Sequence, residues 1–488
     1  MKFTSTRKTE SVSGGEAVLN GTPAGGGLYV PSELPVFSEN EIAEFCKMAY
    51  PERVAVVFKK FFDDFSYYEL LDYAEKAYAS FEDVCPVVKL EDESYVAELW
   101  HGPTATCKDL SLAMMPYVIE AAKKKLGLTK KTLAVFATTG NTGKAALESF
   151  TGHSGAELVV VYPDAVMDYL QKLQLVTHVG DNTHVFGVKG SFSEAKESVS
   201  AFFSNKENKI ALSASGYEAV DVSSVNWCRI TAEIACVFSV YADLMESEEI
   251  SPSQKVNLCI PTSSGSMLAA AYYAKKMGLP VDRIIVAVNE NNHLAKFFAS
   301  GEYQRPKTVA LTNSPSLDAA RCRNLERILY EISGRNAAFV SEKMEELALS
   351  GKFKVDKKLL DDCDIVCGYA TEDEIIDTIE GEFEENDYVC DPHTAVAVSV
   401  WLDYLTQAED KTPTVLFSTA SPFRYPIDVL FAITEDFVRD PVKAIRKLEE
   451  ATALDAPDTL KKLSKLQVKH NKIVELSDVS ETIFDFIK

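Results

Sequence analysis

Residues 94–122, SYVAELWHGPTATCKDLSLAMMPYVIEAA, read as a strand from Tyr95 to Trp100, a turn at Gly102-Pro103 and an apolar helix from about Leu110. Lys108 stands at the junction, with Asp109 placed to cap the helix start. An amine at a helix N-terminus lies in the positive end of the macrodipole, which disfavours its protonated form. A neutral lysine is what Schiff-base chemistry with a carbonyl compound requires. A lone lysine is ordinarily a solvated surface charge, and only its surroundings make it reactive.

Outward from this stretch, strands alternate with helices. Apolar runs at Thr132–Ala137, Glu157–Tyr162, Val256–Ile260, Arg283–Val288 and Val415–Phe417 read as buried strands. Helical patterns follow at Lys144–Phe150, Met267–Met277 and, after a short run at Tyr388–Cys390, Ala395–Leu405. Such alternation predicts an α/β protein with parallel sheets covered by helices. Ser191 with Glu194 and Thr371 with Glu374 form capping boxes, and Asp440-Pro441 is a further helix start. Residues 1–88 read as an N-terminal domain, Gly-rich at 21–27 and then helical and aromatic. Residues 89–130 with 210–440 form a large domain, 131–209 a small α/β domain, and 441–488 a charged helical tail.

Two strand–loop–helix junctions can hold anions. Val135-Phe136-Ala137 runs into Thr138-Thr139-Gly140-Asn141-Thr142-Gly143, with a helix opening at Lys144. Small hydroxyl-bearing residues at a helix N-terminus offer backbone N–H groups, hydroxyls and a favourable dipole. The Gly-to-Gly spacing is too short for a Walker A loop, and Ala145 stands where that loop needs a hydroxyl. The second junction is Thr262-Ser263-Ser264-Gly265-Ser266, before the helix MLAAAYYAKKMG. Each is equally readable as a turn that uses glycine for its backbone angles. In an open α/β sheet both gather at the carboxyl edge of the strands, and two cradles near one lysine suit a phosphorylated cofactor and an anionic substrate. The Asn226-Trp227-Cys228-Arg229 segment supplies an arginine that can clamp a carboxylate or phosphate. His393 reads as a helix-start residue rather than a base, and Asn289–Asn292, Ser418 and Thr419 lie at other strand ends.

The chain has 488 residues, 46% of them hydrophobic, enough for a large core and about three domains. A net charge of -23 argues against nucleic acid or an anionic membrane as a partner. The ten cysteines lack metal-ligand spacing, so no metal is expected, and they read as free thiols of a reducing compartment. The N-terminus has no apolar signal region and no apolar run reaches transmembrane length, so a soluble, cytoplasmic protein is expected.

With these residues assembled, the chain resembles the threonine synthase family of fold type II pyridoxal-phosphate (PLP) enzymes, which are tryptophan synthase β-like. The resemblance runs from Ser5-Thr6-Arg7 and GGLYVP at Gly26–Pro31 through ELWHGPT at Glu98–Thr104, Lys108-Asp109 and GNTGKAALESF at Gly140–Phe150. It continues with Val225-Asn226-Trp227, AYYAKKMGLP at Ala271–Pro280, Asn289-Glu290-Asn291, Asn324–Arg327, DPHTAV at Asp391–Val396 and Ser418-Thr419-Ala420. It implies PLP as cofactor, held by Lys108 as a Schiff base. It also implies a carbon–oxygen lyase turning O-phospho-L-homoserine into L-threonine and phosphate, in a monomer or homodimer.

On this resemblance Thr262, Ser263, Ser264, Gly265 and Ser266 hold the cofactor phosphate and Thr419 partners the pyridine nitrogen. Thr138, Thr139, Gly140, Asn141, Thr142, Lys144, Asn226 and Arg229 would hold the substrate. The departures sit at the same loops. The family's G-N-F-G-N is Ser263–Met267 here, its S-G-D-T-G is Thr139–Gly143, and Cys107 replaces the phenylalanine before the lysine. Its S-T-A-H-P-A-K-F is Ser418–Tyr425, with Ser421 for histidine and Arg424 for lysine. Such changes leave open a phospho-lyase that releases a 2-oxo acid, and a silent relative that binds without turnover.

Overall fold

The computed structural model describes residues 1–91 and 93–487. Its central sheet has six strands, in the order Ile365–Tyr369, Val281–Val288, Val256–Pro261, Thr414–Ser418, Ser94–Glu98 and Val87–Lys89. All pair in parallel except the last, which is antiparallel. The central strands are buried on both faces, which is why VNLCIP and TVLFS are almost continuously apolar rather than alternating. A second, five-stranded parallel sheet runs Ile473–Glu475, Thr183–Lys189, Ala156–Pro163, Lys131–Ala137, Tyr217–Ala219. The expected strand after Ser94 and the five expected buried strands are present, with ends differing by one or two residues.

Three local readings change. The helix expected from Lys144 spans Asn141–Phe150, behind Gly140. Its first turn, Asn-Thr-Gly, is made of weak helix formers, so the pattern emerges only at Ala145. Tyr388–Cys390 is not a strand. It is a buried link between the helices Glu372–Asn386 and Pro392–Ala408, too short to pair, and the Tyr388 hydroxyl donates to Glu98 Oε1 at 3.1 Å. The segment after Asp440 begins with the expected helix, Pro441–Thr452, but is not helical to its end, because Ile473–Glu475 extends the second sheet. Both capping boxes form, as does the Asp440 cap.

The helix Trp227–Glu246 is buried along nearly its whole length. The N-terminal segment packs onto it: Phe3 and Phe61 meet the Trp227 ring edge-on, at 5.6 Å and 5.4 Å between centroids. Residues 3–78 therefore share one hydrophobic core with the Lys108 region and the central sheet. Thr6 and Arg7 both bond to Glu326, at 2.6 Å and 2.8 Å, tying the first strand to the helix Leu325–Ile332. Among the described residues no helix is long and apolar enough to cross a membrane.

Candidate active site

Lys108 is positioned by the turn before it and the strand beside it. Cys107 N–H donates to Thr419 O at 2.9 Å and Thr106 bridges Ala420, so Lys108 is clamped to the segment that follows Thr414–Ser418. The helix Lys108–Ala113 begins at the lysine but has no side-chain cap. Asp109 lies inside its first turn and reaches back instead, accepting from Thr104 N–H at 2.8 Å and Thr104 Oγ1 at 2.7 Å. It thus fixes the Gly102–Thr104 turn rather than capping the helix. A Cβ on Gly102 would lie 2.7 Å from that of Asp109, so the close approach needs glycine. Burial pushes the Asp109 carboxyl up to about 7. Among the described residues Lys108 forms no salt bridge.

The loop Thr262–Ser266 leaves the neighbouring strand at the same edge. Gly265 adopts φ 70° and opens the helix Ser266–Lys276, and its N–H donates to Thr262 Oγ1 at 3.2 Å. The loop is anchored from behind by Asn324, whose backbone N–H and side chain both donate to Ser264 O. Ser263 Oγ donates to Ser316 O at 2.9 Å, and Ser266 Oγ to Glu233 Oε1 at 3.1 Å.

These elements surround one cavity. Lys108, Asn141, Thr262, Ser263, Ser264, Ser266 and Thr419 all line it, joined by Glu233 and Ser316. They enclose about 40 Å³, room for roughly one water, so a larger guest requires flexible side chains at the rim to rotate. Other expected residues point elsewhere. Thr138 Oγ1 accepts from Gly140 N–H and Gly143 N–H at 3.0 Å and 3.1 Å, so those two donors are spent within the loop. Thr139 and Thr142 do not line the cavity. Lys144 pairs with Glu148 at 2.5 Å and contacts His178. Asn226 is buried, caps its own helix and donates to Val18 O and Asp221 O. Arg229 is buried and donates to Ser111 Oγ at 2.9 Å.

Two residues were missed from sequence. Glu233 follows Arg229 by one turn in a buried, mostly apolar helix, an opposite-charge pair that could have marked it. Ser316 carried no signal. It is delivered by long-range bonds: Asn289 holds Ser314 Oγ and Asp318 Oδ1, each at 2.9 Å. His393 Nε2 accepts from Ser316 N–H at 3.1 Å while its Nδ1 meets Asp391 at 2.5 Å. His393 is thus a positioning group for this turn. Arg424 is buried and donates to Thr104 O, Gln174 Oε1 and Asn141 Oδ1.

Known proteins resemble this chain in sequence and fold. The family described as Threonine synthase N terminus matches residues 2–78, and Pyridoxal-phosphate dependent enzyme matches residues 85–419. Threonine synthase of Pseudomonas aeruginosa is 30% identical over 87% of this chain and 89% of its own. Threonine synthase-like 2 of Homo sapiens is 29% identical over 85% and 86%. A PLP-bound threonine synthase structure from Brucella melitensis aligns with TM-score 0.89 and 29% identity, covering 100% of both chains. The yeast threonine synthase structure gives 0.89 and 27%, covering 100% and 98%. The residues here fit the phosphorylated cofactor those matches indicate. Four hydroxyls and a left-handed glycine converge at a helix N-terminus beside a lysine, and Glu233, which also lines the cavity, has its Oε2 buried without a hydrogen-bond partner.

Proposed function

The chain belongs to the threonine synthase family of pyridoxal-phosphate-dependent enzymes, and from that premise we propose that it is a lyase converting O-phospho-L-homoserine to L-threonine and phosphate. The observation that carries this reading is the convergence of Lys108, the Thr262–Ser266 loop and Thr419 on one cavity. In the net reaction the Cγ–O bond and one Cβ–H bond break, the hydroxyl of water bonds to Cβ, and the two protons released from Cβ and water end on Cγ and on the departing phosphate.

Lys108 would hold the cofactor through its aldehyde carbon, the hydroxyls of Thr262–Ser266 would hold its phosphate, and the Thr419 hydroxyl would meet its pyridine nitrogen. When bound, PLP supplies an electron sink for charge developing on the substrate carbons. Lys108 Nζ would take and return protons at Cα and Cβ, as general base and acid. Asn141 and Ser316 line the cavity and would meet the substrate, and the Arg424 guanidinium bonded to Asn141 would add positive charge toward an anionic group. Asn226, Arg229 and Lys144 support the site through Ser111, the helix start and Glu148 rather than by direct contact.

A second reading is favoured by one observation. Both polar ends of the Asn141 amide are engaged, by Arg424 on one side and by Ser316 and Tyr425 on the other. An amide locked in this way can hold water away from Cβ, and the product is then a 2-oxo acid. Purified protein incubated with O-phosphohomoserine separates the readings. Equal threonine and phosphate support the first, and 2-oxobutyrate with phosphate supports the second. No phosphate release would leave only a binding protein.

A further inference from the structure

Glu233 is a buried carboxyl group in the wall of the cavity, beside the loop that offers its hydroxyls to a phosphate. Its Oε1 accepts from Ser266 Oγ at 3.1 Å, while its Oε2 is buried with no hydrogen-bond partner. A buried oxygen left unpaired is costly, and it marks a place where a donor or acceptor belongs. The charged and titratable groups acting on Glu233 come from several elements. They are Arg229 on its own helix, Lys108 and the Cys107 thiol at the start of Lys108–Ala113, and Arg327 in Leu325–Ile332. Burial holds the carboxyl above its ordinary range despite the three cations.

A carboxylate there would share the cavity with the dianion of a phosphate ester held by the same loop, two like charges in a site poor in water. A carboxylic acid in the same place is a donor, and its O–H answers the need of both groups. We propose that Glu233 carries a proton when the Thr262–Ser266 loop holds the cofactor's phosphate, and donates that O–H to it. Loading the cofactor then takes up one proton, and affinity falls as pH rises. The inference rests on the assignment of this loop as the phosphate cradle.

The test uses the full chain freed of cofactor and titrated with PLP and with pyridoxal, which lacks the phosphate, from about pH 7 to about pH 9. Above about pH 7 the phosphate ester is already a dianion, and the aldehyde chemistry at Lys108 cancels in the ratio of the two affinities. In the wild type the preference for PLP should fall with pH, by about tenfold per unit where the linkage is complete. In Glu233→Gln the preference should be flat and should exceed the wild type at the alkaline end. Independently of any variant, PLP should take up about one proton more than pyridoxal from weakly buffered solution. A flat preference in the wild type, or a slope that survives in Glu233→Gln, overturns the role of Glu233 alone. Equal binding of PLP and pyridoxal at every pH overturns the cradle as well.

Discussion

The guanidinium of Arg424 donates to the side-chain oxygen of Asn141, and the nitrogen of the same amide reaches Ser316 Oγ at 2.8 Å and Tyr425 Oη at 3.2 Å. One carboxamide thus joins three segments remote in sequence: the start of the helix Asn141–Phe150, the turn Pro315–Leu317 and the turn Pro422–Arg424 with Tyr425 after it. With donor and acceptor both engaged, the amide presents one fixed face to the cavity.

Arg424→Lys should disturb that face while keeping the charge. A single ammonium cannot reproduce the forked contacts to Thr104 O, Gln174 and Asn141. Losing one charge-assisted bond costs about 1.5–3 kcal/mol, roughly tenfold or more in affinity. The expected outcome is a raised KM for O-phosphohomoserine and a changed ratio of threonine to 2-oxobutyrate, with cofactor content intact. Unchanged KM and unchanged products would remove the pair from the site's chemistry.

Lys108 should carry the cofactor. Borohydride treatment of the loaded protein should bleach its visible absorbance and leave the label on the peptide containing Cys107-Lys108-Asp109. Lys108→Ala should lose turnover by orders of magnitude, because attachment and proton transfer reside in one amine. A label recovered on another lysine refutes the assignment.

Gly265→Ala should weaken both fold and cofactor binding. Gly265 has φ 70°, and an added Cβ would lie 2.5 Å from the Cys322 sulfur. The left-handed backbone alone costs about 1–2 kcal/mol for a residue with a side chain. A lowered Tm together with a higher Kd for PLP is expected. A variant with wild-type PLP affinity would show that the loop can shift without consequence for the cofactor.

Asp109 should make stability fall with pH. Its carboxyl is pushed up to about 7 by burial, whereas in an unfolded chain it titrates at about 3.9. Between those values the unfolded state releases the proton first and binds fewer protons than the native state, so unfolding becomes easier as pH rises from about 4 to about 7. Three units correspond to about 4 kcal/mol at most. Asp109→Asn keeps the geometry of the two Thr104 contacts and has no proton to lose. Denaturant melts at several pH values should show the wild type losing ground to the variant across this window, and parallel curves would refute the claim.

Much of this protein was legible in its sequence. The runs Val256–Ile260 and Val415–Phe417 announce central strands because a strand buried on both faces has no polar face to interrupt it. The 262–266 loop and Thr419 follow the carboxyl ends of strands that parallel pairing brings to one edge, and Lys108 opens a helix beyond a third such strand, while their roles as one group came from the family resemblance.

What the sequence left open depended on where side chains point. Asp109 looks like a cap by position, yet its carboxylate is drawn back to Thr104 because a buried turn needs its N–H and hydroxyl satisfied. Lys144 lies in the first turn of the helix Asn141–Phe150, behind a loop suited to anions, but its flexible stem carries the charge to Glu148. Ser316 enters the cavity only through Asn289, Asp391 and His393, contacts that span many residues and leave no local pattern. Local sequence thus determined the elements and their order, since periodicity and caps act over a few residues. Which polar groups meet was decided by tertiary packing, because a hydrogen-bond partner is selected by distance in space and by exclusion of water, neither of which is encoded by neighbours along the chain.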